Sequence, residues 1–95
     1  MLPLIISASV LTKLRDKHHV ERREVEQAFE NKCGSYLIDG REDHQTDPAT
    51  LWFVAPTNKG RQLKVIFIFI DGNAHLKSAY TADADAISIY DEVGK

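Results

Sequence analysis

Residues 51–80 read LWFVAPTNKGRQLKVIFIFIDGNAHLKSAY, and the fold turns on this stretch. It holds three apolar runs separated by two turn words, Asn58-Lys59-Gly60 and Asp71-Gly72-Asn73. Apolar runs of strand length joined by Asn/Asp/Gly turns read as consecutive hairpins, so an antiparallel β-meander is expected. In the first run Leu51, Phe53 and Ala55 alternate against Trp52 and Val54. In the second, Leu63, Val65, Phe67 and Phe69 share one face, and Ile66, Ile68 and Ile70 share the other. A strand apolar on both faces belongs at the centre of a sheet with cover on each side. In the third run Leu76, Ser78 and Tyr80 alternate against His75, Lys77 and Ala79.

Outward from the meander, residues 4–6 predict a short first strand. Ser7 or Ser9 is placed to cap a helix beginning near Val10. Val10, Leu11 and Leu14 recur at helical spacing and are expected to face the core. His18-His19 ends that helix. Val20 opens a second, with Val25, Ala28 and Phe29 as its apolar stripe and an Arg22–Glu26 pair one turn apart on its wet face. Asn31 and Gly34 supply its stop. Residues 36–38 form a further strand, and residues 41–48 a polar loop. Residues 83–90 carry Ile87 and Tyr90 at helical spacing, so a short terminal helix is expected there, with Ile89 off its stripe. The expected architecture is α+β: a short N-terminal strand and two helices packed on an antiparallel meander, then a short C-terminal helix.

The chain has 95 residues, which sets one domain, residues 1–95. An apolar fraction of 43% and a charged fraction of 27% are ordinary for a globular protein. The net charge of −2 and the pI near 6.0 lack the basic footprint usual in nucleic-acid binders, although a local patch can still be basic. One cysteine, Cys33, forms no internal disulfide and reads as a half-buried thiol. The N-terminal apolar run is too short for a signal peptide or a membrane span, so no membrane is involved and a cytoplasmic location is expected.

Several residue groups carry chemistry. His18 and His19 are adjacent, and His44 and His75 are distant from them. Metal ligands come at convergent spacings, which these lack, so neither metal nor cofactor is expected. An imidazolium at a helix C-terminus also helps satisfy the last carbonyls. Arg41-Glu42-Asp43-His44 puts an imidazole beside carboxylates, where it can act as general acid or base near neutral pH. Charges that pair with each other in a solvated loop give the same word. If the hairpin about Asp71-Gly72-Asn73 sets the register, Lys64 and Lys77 lie close on one side of the sheet, and with Arg61 or Arg41 they hold a phosphate. Lysines on a sheet edge also serve simply to discourage aggregation. Trp52, Tyr80 and Tyr90 stack on bases or belong to the core, and Trp52 reads as core.

Lys17-His18-His19-Val20, then Glu24-Val25 and Ala28-Phe29, then Asp39-x-Arg41-Glu42, resemble the opening of BrnT-type toxins. Those open with a Lys-His-x-Val word, a helix ending in phenylalanine and an Asp/Arg-containing loop. Gly60-Arg61, the apolar run over 65–70 and Lys77-Ser78-Ala79-Tyr80 resemble the rest of that domain. The resemblance implies the RelE-like group: small α+β domains that cleave RNA and are neutralised by a partner antitoxin. It implies a metal-independent ribonuclease of a type II toxin–antitoxin pair, working on RNA or at the ribosome. His44 is then the general acid/base candidate. Arg41, Arg61 and Lys77 are phosphate stabilisers, and Tyr80 is a proton donor or stacking group. Short proteins called ADP-ribosyl-(dinitrogen reductase) hydrolase look similar too. The hydrolases of that substrate are much larger helical proteins with acidic metal ligands, which this chain does not match. Two departures from the BrnT pattern stand out. Tyr80 occupies a position usually held by arginine, and Asp83, Asp85, Asp91 and Glu92 replace a strongly basic final helix. Both weaken RNA binding, and they open a second reading, a non-catalytic module of the toxin fold that binds a protein partner.

Overall fold

The computed structural model describes residues 3–40 and 48–95. Strand β1 (Leu4–Ile5) leads to helix α1 (Ala8–Lys13), which widens into a π-type segment over Leu14–His18. Helix α2 (Arg22–Asn31), β2 (Leu37–Ile38), β3 (Thr50–Pro56), β4 (Gln62–Ile70) and β5 (Asn73–Thr81) follow. Helix α3 (Ala84–Ile89) closes the order and widens in turn over Tyr90–Gly94. The five strands form one mixed sheet in the order β1-β5-β4-β3-β2. Its antiparallel centre is the expected meander. β1 adds in parallel to β5, and β2 antiparallel to β3.

The turns follow from their residues. Ile70 pairs with Asn73 across a two-residue loop, with Asp71 at φ 52° and Gly72 at φ 80°. Two successive left-handed residues make the tight turn that matches strand twist. Gly60, at φ 87°, closes the other hairpin by donating its N–H to the Thr57 carbonyl.

Register decides which residues share a face. Leu51, Phe53 and Ala55 pair with Phe67, Val65 and Leu63, while Trp52 and Val54 pair with Ile66 and Lys64. Leu63, Val65 and Phe67 are fully buried, and Ile66 and Ile68 nearly so, which makes β4 a central strand covered on both sides. On the Phe53 side sit α1 and α2, with Leu14, Val25 and Ala28 inward and the Phe29 ring 4.8 Å from Phe53 and 5.2 Å from Phe67. Tyr36 joins this cluster 5.0 Å from Phe67. Edge-to-face pairs of this kind add about 0.5–1.5 kcal/mol each beyond area burial. On the other side Tyr90 packs 6.0 Å from Trp52, so the C-terminal segment is the second cover.

Four expectations change. Leu11 is exposed and leaves the inner stripe to Val10 and Leu14, which lie one turn apart at i, i+4. Cys33 is exposed, not half-buried. Lys64 does not face Lys77. It faces Tyr80, where an unbroken register from the Asp71-Gly72 turn would give Ala79, because β5 carries a bulge: Ile66 pairs with Ser78 and Phe67 with Leu76, leaving Lys77 as the extra residue. The same bulge puts Leu76 on the buried face with Ala79, not on the face of Ser78 and Tyr80 as expected.

The C-terminal cover is latched to the turn after α2. The Tyr90 hydroxyl donates to the Ser35 carbonyl at 2.7 Å, and Ser35 N–H donates to the Gly94 carbonyl at 2.7 Å. Burial pushes the Tyr90 phenol up, which keeps it protonated as a donor. A Cβ on Gly34 would sit 2.5 Å from the Gly94 oxygen and 2.7 Å from the Tyr90 hydroxyl oxygen. The Gly34→Ala variant is therefore expected to lose about 1–3 kcal/mol. Urea unfolding followed by Trp52 fluorescence checks this, and a midpoint equal to the parent's contradicts it.

Candidate functional site

Arg61 follows the β3–β4 turn, and its guanidinium gathers three elements. Nε donates to the Thr81 hydroxyl at 3.0 Å. Nη1 donates to the His19 carbonyl at 2.8 Å and meets the Glu24 carboxylate at 3.4 Å. Nη2 donates to the His18 carbonyl at 3.0 Å. Two of these acceptors are the last carbonyls of the α1 segment, which a helix end leaves without partners. The sequence suggested an imidazole for that task, but Arg61 performs it. Glu24 is held in turn by a reciprocal cap, its other carboxylate oxygen accepting from Glu21 N–H at 3.0 Å.

That clamp fixes the joint between α1 and α2. His19 takes a left-handed conformation at φ 54°, and Val20 N–H reaches back to the Leu14 carbonyl at 2.9 Å. Val20 is thereby fully buried. The His18 ring lies against Tyr80, centroids 5.3 Å apart. Tyr80 is cross-strand partner to Lys64, whose ammonium sits 4.7 Å over the Trp52 ring. Burial lowers the His18 pKa below its usual 6.5, and the charges of Lys17, Lys13, Arg61 and His19 lower it further. A half-buried imidazole biased toward its neutral form, a phenol and several lysines thus share one end of the sheet.

The sequence-predicted residues separate. Arg61 and Tyr80 belong to this constellation. Lys77 is exposed at the bulge, three residues along β5 from Tyr80. His44 and Arg41 lie outside the described residues. Trp52, between Lys64 and Tyr90, is packed against the core, as expected of it. His18 and Glu24 were not singled out as site residues. Their signal was the Lys17-His18 word, but only tertiary contact places the imidazole on Tyr80. Among the described residues no group of three or more His, Cys, Asp or Glu side chains converges as a metal site.

Beside the clamp lies an open cleft of about 420 Å³, lined by polar residues of the α1–α2 joint, α2 and the β3–β4 turn. Its wall is fastened by Asn31, which donates to Pro56 O and Asn58 Oδ1, each at 3.0 Å, and by Asn58 N–H on Gln27 at 3.0 Å. Glu21 and Arg23 pair across its rim at 2.9 Å.

Two outcomes follow. Replacing Arg61 by alanine strands the His18 and His19 carbonyls and is expected to cost about 2–3 kcal/mol. Arg61→Lys recovers only part of this, because an ammonium lacks the fork that reaches separate acceptors. Chemical denaturation of both variants measures the difference, and parental stability in Arg61→Ala would refute the clamp.

The second outcome concerns pH. The folded state binds the His18 proton more weakly than the unfolded chain, so the unfolded state takes up more protons as pH falls. The stability that the neutral imidazole contributes is present above the unfolded pKa of 6.5 and is lost as pH falls below it toward the folded value. His18→Gln is expected to flatten that fall in melting temperature. The parent's full acid slope persisting in the variant contradicts it.

No protein-family model, curated protein or solved structure matches the chain.

Proposed function

We propose that this chain is the toxin of a type II toxin–antitoxin pair, a BrnT-like, RelE-related ribonuclease that cleaves RNA without a metal. The observation that carries the reading is the His18–Tyr80 pair, 5.3 Å apart, among the cations of Lys13, Lys17 and Arg61. Cleavage of this kind needs a base for the 2′-hydroxyl, positive charge for the phosphorane and an acid for the leaving oxygen.

The neutral His18 imidazole takes the 2′-hydroxyl proton. The 2′-oxygen bonds to phosphorus, and the P–O5′ bond breaks. A proton from Tyr80 or His44 goes to the 5′-oxygen, leaving a 2′,3′-cyclic phosphate and a 5′-hydroxyl. Lys64, next to Tyr80, holds the phosphate, and Lys77 and Arg41 remain the further candidates for that task. Arg61, whose N–H groups serve carbonyls and Glu24, stabilises the phosphate less directly, through the placement of His18.

The second reading, a non-catalytic module of this fold that binds a protein, is favoured by Tyr80 in the usual arginine position and by the acidic residues after it. Expression of the chain without its neighbouring gene separates the two. The toxin reading expects growth arrest with RNA fragmentation that a chelator leaves intact. His18→Ala, His44→Ala, Arg41→Ala and Lys77→Ala are each expected to lower cleavage, by about 10²–10⁴ for an acid or base. Intact RNA at full expression, with a tight complex to a neighbour-encoded protein, establishes the second reading instead.

A further inference from the structure

The C-terminal segment has two apolar stripes. The inner one, Ala82, Ala86, Ile87 and Tyr90, packs into the core. The outer one is Ile89 and Val93, one helical turn apart and 49% and 62% exposed. Its exposed neighbours are Asp85, Ser88, Asp91 and Glu92. Lys95, the one base in the segment, is occupied with Asp91 at 2.8 Å. Asp83 caps the helix by accepting from Ala86 N–H at 2.8 Å, and the Tyr90 and Gly94 contacts to Ser35 fasten its far end. The stripe is therefore a preformed apolar ridge with an acidic border.

We infer that residues 85–93 are a docking surface for a basic amphipathic helix of a partner protein. Aliphatic side chains one turn apart on the partner seat on Ile89 and Val93, and its lysines or arginines reach Asp85 and Glu92. Charge complementarity selects this occupant, since like charges facing each other oppose association. RNA is repelled by the same border. A second copy of the chain fits less well. Its exposed Leu11 lies near Lys13, Arg15 and Lys17, but the positions one turn away are Ser7 and Arg15, so this basic helix offers one apolar anchor where two are needed, and the exposed Ile5, Ile38 and Ile70 stand on strands. The inference does not depend on ribonuclease activity.

The test uses two fluorescent helical peptides with leucines one turn apart, one flanked by lysines and the other by glutamates. Binding to the whole chain is read by anisotropy at about 0.05 and 0.3 M salt, with the oligomeric state followed by sedimentation. The lysine peptide is expected to bind at least about tenfold more tightly than the glutamate peptide, with the gap narrowing at high salt. Ile89→Ser/Val93→Ser, with an unchanged melting temperature, is expected to lose about tenfold or more. Asp85→Lys/Glu92→Lys should reverse the preference. Equal binding of both peptides, undiminished binding by the serine variant, or no binding by about 1 mM overturns the proposal. So does salt-sensitive self-association abolished by the serine variant, which assigns the ridge to a second copy.

Discussion

One guanidinium holds this domain's layers together. Arg61 stands where β4 begins, yet its donors end on Thr81 at the close of β5, on the carbonyls that finish the α1 segment, and on Glu24 in the first turn of α2. A planar fork suits that task, because its N–H groups point to separate acceptors and less rotamer entropy is lost per hydrogen bond formed. The π-type end of α1 and the left-handed His19 would otherwise leave carbonyls facing a partly buried joint. The placement of His18 against Tyr80, and of Val20 in the core, follows from that grip.

The second constraint is a central strand that is apolar on both faces from Val65 onward. Leu63, Val65 and Phe67 demand one cover, and Ile66 and Ile68 demand another. The N-terminal helices serve the first side, through an aromatic cluster that reaches Tyr36. The C-terminal segment serves the second, and this gives its sequence a structural purpose. Its small inner residues, Ala82 and Ala86, let it lie close, and Tyr90 supplies the bulk and the latch to Ser35. The carboxylates then have only the outer surface left to occupy. Trp52 is drawn into the same arrangement. With Lys64 over its ring and Tyr90 beside it, it serves packing before any stacking on a base.

Much of this was legible in the residues. The alternation of residues 51–56 and 62–70 set the strands and their faces, and the Asp-Gly turn set one hairpin register at its tip. Ile89 fell off the inner stripe in the sequence and lies outside it in the fold. Illegible were the features that depend on a break in periodicity. A bulge at Lys77 costs one residue of register, so Lys64 faces Tyr80 where the turn alone would give Ala79, and the expected closeness of Lys64 and Lys77 on one side of the sheet is lost. The bulge moves every later side chain of β5 to the other face, so Leu76 and Ala79 share the buried side although strict alternation separates them. Leu11 turned outward, because Val10 and Leu14 at i, i+4 already fill the inner face. The clamp was hidden for another reason. Arg61 and the carbonyls it serves are 42 and 43 residues apart, and nothing local distinguishes an arginine that holds backbone from one that holds phosphate.

The substitution at position 80 reads differently once its neighbours are known. In the resembling family that position usually holds arginine. Here the side chain lies on His18 and faces Lys64, and the charges of Lys13, Lys17 and Arg61 already press on the imidazole. Another cation there would disfavour the imidazolium further, and like charges directly opposite on paired strands repel. A phenol adds no positive charge, gives the His18 ring a surface to pack on and brings an O–H that can donate. On the proposed reading, Tyr80 moves the site away from arginine-centred charge stabilisation. Lysines then hold the phosphate while an imidazole and a phenol pass the protons.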